Sequence, residues 1–270
     1  MNANQPLSQP GPTALPGVRD IIAVASAKGG VGKSTVSANL ALALVGSGAK
    51  VGLMDADIYG PSLPLMMGVT GEPELTPEGR LLPIVQHGVA IMSMGFLTDE
   101  DTPVVWRGPL LAQAVQQFLR QVDWGELDYL IIDLPPGTGD IPLTLGQAVV
   151  LSGALIVTTP QSVALEDVER GVAMFEKVDV DILGIVENMS YYLCPNCDQR
   201  HEIFGRGGAR AIAEKLDLQV VGEIPLNSGI RQGGDSGHPV ALEAESESGQ
   251  MFAALALRVQ QSVAELTADR

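Results

Sequence analysis

The chain has 270 residues, a formal net charge of −16, and 46% hydrophobic but only 4% aromatic residues. That length suits one large α/β domain or two small ones, and an aliphatic core favours a parallel sheet covered by helices on both faces. A surface this acidic repels phosphate backbones, which argues against nucleic acid as a partner; no apolar run reaches the roughly 18 residues of a membrane span, and no secretory leader opens the sequence, so a cytoplasmic protein is expected.

Residues 1–18, rich in Pro, Gln, Ser and Gly, read as a flexible N-terminal tail, and residues 19–270 as a single domain. Ile21 to Ser26 is a buried strand, followed by a glycine loop and an alanine-rich helix from Ser34 to Val45 that Gly46 and Gly48 end. Lys50 to Met54 is the next strand, closing on Asp55. The Pro/Gly-rich stretch from Gly60 to Gly108 reads as an irregular insertion, functional or facing a partner. Tyr129 to Ile132 is a strand closing on Asp133; Ala154 to Thr158 and Ile182 to Val186 follow, with a helix near 165–177 between them. Gln219 to Gly222 is a last strand, and from about Glu243 the pattern is an amphipathic helix with a polar tail. Strands alternating with helices in this way predict a doubly wound, mainly parallel sheet with helices on both faces.

The chemistry gathers at strand ends. Lys28-Gly29-Gly30-Val31-Gly32-Lys33-Ser34-Thr35 lies between a strand and a helix and fits the phosphate-loop pattern, with Ala27 in place of its first glycine. Glycines let backbone N–H groups turn inward around phosphate oxygens, and the helix N-terminus adds positive charge. Lys33 is placed for the β- and γ-phosphates of ATP and the Ser34 hydroxyl for Mg²⁺. Asp133 ends an apolar strand, where a phosphate-loop protein keeps the carboxylate that holds Mg²⁺ through water. Asn188, at another strand end, has the hydrogen-bonding groups to read a purine edge.

Cys194-Pro195-Asn196-Cys197 places two thiols within reach of one metal centre, but a cubane cluster or a Cys₄ zinc site needs four. Either another residue of this chain completes the shell, or a second copy facing the first across a twofold axis supplies the other two thiols. His201 offers a third ligand for zinc instead, and a thiol redox pair is a further reading.

The early lysine, Lys28, resembles the deviant phosphate loop of the MinD, ParA and nitrogenase iron-protein superclass. Asp55-Ala-Asp-Ile-Tyr-Gly-Pro-Ser, Val105-Trp-Arg-Gly-Pro, Asp133-Leu-Pro-Pro-Gly-Thr-Gly-Asp, Glu187-Asn-Met-Ser, Cys194-Pro-Asn-Cys and Gly233-Gly-Asp-Ser-Gly-His-Pro add a closer resemblance, in order over residues 20–242, to the Mrp/ApbC family of iron–sulfur cluster carriers. That resemblance implies a homodimer with Lys28 reaching the partner's nucleotide and Asp57 orienting the attacking water. Asn188 recognises the base in this scheme, and Asp55 supports the site from behind. It also implies a [4Fe–4S] cluster bridged by Cys194 and Cys197 of both subunits, slow ATP hydrolysis coupled to loading or release, and apo iron–sulfur proteins as acceptors. Many members carry a small extra domain before the phosphate-loop domain, whereas about 20 residues precede the first strand here.

Overall fold

The structure, a computed structural model, describes residues 11–58, 60–97, 108–137 and 139–268. In chain order, β1 is Val18–Ala25, α1 Lys33–Gly46, β2 Val51–Asp55 and α2 Leu63–Met66; β3 is Ile84–Gln86, β4 Val89–Ser93, α3 Gly108–Gln121 and β5 Leu127–Asp133. Then come α4 Asp140–Ala148, β6 Gly153–Thr158, α5 Ser162–Glu176, β7 Ile182–Glu187, the short strands β8 Tyr192–Leu193 and β9 Arg200–His201, α6 Gly208–Lys215, β10 Val220–Glu223, α7 Ser228–Asp235 and α8 Glu247–Ala268.

Eight strands form one sheet in the order β10-β7-β6-β1-β5-β2-β4-β3, parallel throughout except for β3. β8 and β9 pair separately as an antiparallel hairpin. The central strands β2, β5 and β6 are near-continuous apolar runs because both of their faces are covered. One face carries Phe118, Leu145, Phe175 and Ile212, from α3, α4, α5 and α6; the other carries Leu40, Leu44, Phe252 and Val259, from α1 and α8. α1 has almost no polar face, being sandwiched between the sheet and α8. β1 lies between β5 and β6, and the chain runs from β1 toward β2 on one side but from β5 across to β6 on the other, so the strand order reverses there and a crevice opens above the carboxyl ends of the strands.

Two expectations change. Residues 1–10 lie outside the described residues, but the expected tail does not extend to residue 18: Thr13 N–H donates to the Ala148 carbonyl at 3.1 Å, Leu15 is buried, and β1 begins at Val18. The stretch from Gly60 to Gly108 is not an irregular insertion throughout. It adds α2 and extends the sheet by β3 and β4, because Val89, Ile91 and Met92 form an apolar run whose burial against β2 outweighs the surrounding prolines and glycines. Residues 98–107, including Val105, Trp106 and Arg107, lie outside the described residues, as do Tyr59 and Thr138. Among the described residues, no helix is long and apolar enough to cross a membrane.

Candidate functional site

The loop from Ser26 to Gly32 joins the end of β1 to α1 in the crevice. Gly30 and Gly32 take φ of +81° and +82°, which turns successive backbone N–H groups toward one point at the helix N-terminus. A Cβ at Gly32 would lie 2.2 Å from Asn188 Nδ2, so this glycine is required twice, by its φ and by the close approach of Asn188. The Asn188 amide donates to the Val31 carbonyl at 2.8 Å and thereby ties the end of β7 to the phosphate loop. Thr35 accepts the Asn39 amide N–H on its carbonyl at 2.8 Å, within α1.

Asp133 is fully buried at the end of β5 and gathers three residues of α1. Lys33 Nζ lies 2.8 Å from Oδ2, Ser34 Oγ–H donates to the same oxygen at 2.6 Å, and Ser37 Oγ–H donates to Oδ1 at 2.5 Å. Ser37 was not among the sequence candidates; its signal is its position one turn after Lys33 and Ser34, on the same helix face. Ser34 and Asp133 are hard oxygen donors at the phosphate end of the crevice, a fit for Mg²⁺.

Asp55 stands beside Asp133 in register at the end of β2. It accepts the N–H of Asp57 on Oδ1 at 3.0 Å and those of Ser62 and Leu63 on Oδ2 at 3.1 and 3.2 Å. Asp55 therefore pins both ends of the loop that carries Asp57. Burial, and then the negative charge of Asp133, push its carboxyl up to about 7, despite the opposing pull of the Asp57 and Leu63 N–H groups and of Lys33. A raised folded pKa means that the neutral form is favoured in the native state. Its contribution to stability is full below about pH 4 and is lost as pH rises through about 7. Urea unfolding of wild type and Asp55→Asn, without divalent ions, is expected to show wild type losing stability relative to the variant between about pH 4 and 7; a constant difference would remove the assignment.

Lys28 forms an ion pair with Asp167 at 2.7 Å, and Arg170 holds the other oxygen of Asp167 at 2.7 Å. Asp167 lies on α5, and no local pattern marks it. Glu187, also missed, is buried at the end of β7; it accepts Ser190 Oγ–H at 2.6 Å and the N–H of Ala209, in the first turn of α6, at 2.9 Å.

Six residues after Asn188, Cys194 begins the turn of the β8–β9 hairpin. The turn is closed by main-chain bonds: Asp198 N–H to the Cys194 carbonyl at 2.9 Å and Cys194 N–H to the Gln199 carbonyl at 3.0 Å. Both cysteines are free thiols, Cys194 half-buried and Cys197 exposed. The N–H of Asn196, then the Cys197 thiol and N–H, hold the Cys194 thiol below its ordinary value, which favours a ligating thiolate. Among the described residues, no group of three or more His, Cys, Asp or Glu is placed to hold a metal, so His201 does not complete a mononuclear zinc site with the pair.

The comparisons fit this geometry. The chain is 53% identical over 230 residues to the mouse iron–sulfur cluster transfer protein NUBPL, covering 84% of this chain and 72% of that one. It is 50% identical over 254 residues to the iron–sulfur cluster carrier protein of Escherichia coli K12, covering 93% and 68%. A nucleotide-binding protein from Archaeoglobus fulgidus, solved in complex with ADP and with cobalt found in it, superposes with a TM-score of 0.75 at 42% identity, over 87% of this chain and 92% of that one. The Pyrococcus furiosus cell-division ATPase MinD shares the fold, with a TM-score of 0.66 at 24% identity over 90% and 98% of the two chains. Residues 17–260 match the ParA family profile described as NUBPL iron-transfer P-loop NTPase, and the chain belongs to that family.

Proposed function

We propose that this protein is an ATP-hydrolysing carrier that assembles a [4Fe–4S] cluster between two copies of the chain and passes it to apo iron–sulfur proteins. The observation that carries this reading is half a metal site on a hairpin anchored to the nucleotide crevice. Cys194 and Cys197 offer two thiols at an exposed turn with no third ligand group among the described residues. A second copy doubles them to the four that a cubane requires. Leu193 and Ile203, 37% and 54% exposed on either side of that turn, are the apolar surface such a partner would cover. Cytoplasmic residence belongs to the same proposal, since exposed paired thiols need a reducing compartment to stay free.

In this scheme the backbone N–H groups of residues 29–35 cradle the phosphates and Lys33 neutralises the β- and γ-oxygens. Ser34 and Asp133 hold Mg²⁺, Asp133 through water; the ion supplies further charge neutralisation on the phosphates. Asp57 orients the attacking water. Asn188 presents its amide to the base while fastened to the loop at Val31. Lys28 exchanges its Asp167 partner for the nucleotide of the second copy. The cluster is cargo, and hydrolysis, slow as in a switch, drives its loading or release.

Anaerobic reconstitution with iron and sulfide tests the proposal. About four irons and four sulfides per dimer are expected, followed by transfer to an apo-[4Fe–4S] acceptor. Bound zinc that iron does not displace, or no metal with intact ATP turnover, would leave an ATP-driven dimerisation switch instead.

A further inference from the structure

The segment Gly233-Gly-Asp-Ser-Gly-His-Pro has no part in that scheme. It forms the end of α7 and the turn after it, and its main chain touches the residues just after α2. A Cβ on Gly237 would lie 2.5 Å from Gly68 Cα, and one on Gly68 would lie 2.9 Å from the Gly237 carbonyl oxygen. Both hold positive φ, +70° and +65°. Two backbones pass this closely only where neither carries a side chain. Met66 of α2 covers Gly234 alongside.

A side chain from the far edge of the sheet fastens the contact. His87 Nε2 lies 3.1 Å from the same Gly237 oxygen. A carbonyl only accepts, so His87 keeps its proton on Nε2. His87 sits in the tight β3–β4 turn at φ +51°, and the His238 ring stands edge-on to it, 6.0 Å between centroids.

Both sides of this clamp lead back to the nucleotide loops. On one side, α2 begins at Leu63, and the Asp55 carboxylate that holds the Leu63 and Ser62 N–H groups also holds that of Asp57. The Asp57 loop is thus fixed at its root by Asp55 and, through α2, by Gly68. On the other side, Ala241, shortly after the turn, donates its N–H to Asn39 Oδ1 at 3.0 Å, and Asn39 is bonded to Thr35 of the phosphate-loop helix.

We propose that the Gly233–His238 turn, fastened by His87, is a positioning element for Asp57 that registers the Asp57 loop against α1. The proposal rests on the reading of Asp57 as the group that orients the attacking water. His87, Gly68 and Gly237 are positioning residues, acting through α2.

Steady-state ATP hydrolysis and nucleotide binding of the full chain test it in His87→Ala, His87→Gln, Gly237→Ala and Asp57→Ala. His87→Ala is expected to lower kcat about 10-fold with KM for ATP little changed, because a misplaced catalytic group costs rate while the phosphate cradle is intact. The amide N–H of His87→Gln reaches the same oxygen and restores most of kcat. Gly237→Ala, which drives a Cβ into Gly68, falls by up to about 100-fold; if it does not fold, the His87 pair still decides. A wild-type kcat in His87→Ala overturns the proposal, and so does a loss that Gln does not rescue or one confined to KM. Asp57→Ala separates the two claims. If it hydrolyses ATP at the wild-type rate, the reading of Asp57 is wrong; if it is inactive while His87→Ala turns over normally, only the clamp is wrong.

Discussion

Replacing Lys33 with alanine is expected to abolish ATP turnover, by at least about 100-fold, and to destabilise the protein at the same time. The first effect follows from the role proposed for Lys33, a cation at the N-terminus of α1 that meets charge developing on the transferred group. The second follows from burial. Lys33 is 6% exposed and Asp133 fully buried, and they pair at 2.8 Å. Removing one member strands a buried carboxylate, a loss of about 3–5 kcal/mol for a pair of this kind, moderated here by the Ser34 and Ser37 hydroxyls. The two effects separate in Lys33→Ala/Asp133→Asn. That double variant is expected to regain most of the unfolding free energy, since no uncompensated charge is left, and to stay inactive. Hydrolysis in Lys33→Ala near the wild-type rate would end the assignment of the phosphate loop, and a double variant no more stable than the single would show that the ion pair is not what Lys33 contributes to the fold.

Cys197→Ala is expected to do the reverse, removing the cargo and sparing the rest. Cys197 is exposed, and the turn that carries it is closed by main-chain bonds that alanine leaves in place. Thermal stability should change by no more than the roughly 0.5 kcal/mol of an ordinary surface substitution. Iron after reconstitution should fall from about four per dimer to almost none, because two ligands are lost across the twofold axis. ATP binding should be unaltered. Iron retained at the wild-type level would exclude bridging through this pair, and a simultaneous loss of nucleotide binding would mean that the hairpin is part of the crevice and not an appendage to it.

The groups that the structure gathers at the crevice are legible in the sequence because each ends an apolar run. Lys28 to Thr35, Asp55 and Asp133 stand where a buried strand stops, and a parallel sheet brings such ends together on one rim. What escaped were partners far apart in sequence that carry no local pattern. Ser37 meets Asp133 across 96 positions, and Lys28 meets Asp167 from another helix. Glu187 lies next to Asn188, yet its value as an anchor appears only when α6 folds back to offer the Ala209 N–H. In the fold, the five residues of β4 lie among prolines and glycines that suggest a loop, whereas burial of Val89, Ile91 and Met92 against β2 decides otherwise. The end of the tail differs for a similar reason: a single buried Leu15 and a few backbone bonds order residues whose composition alone suggests disorder.

The short passage from Asn188 to Cys194 sets a length scale for the machine. Six residues, fully drawn out, span no more than about 22 Å. The passage is moored at its start, where Ser190 and α6 bind Glu187 and Asn188 binds the phosphate loop. A tether so brief has little slack. In the proposed scheme, a displacement of the end of β7 during nucleotide turnover would be passed through this short, moored passage to the thiols, and the two sites would act as the two ends of one crank. Cargo could then be gripped or let go by a shift of an ångström or two, with no need for a hinge between separate domains.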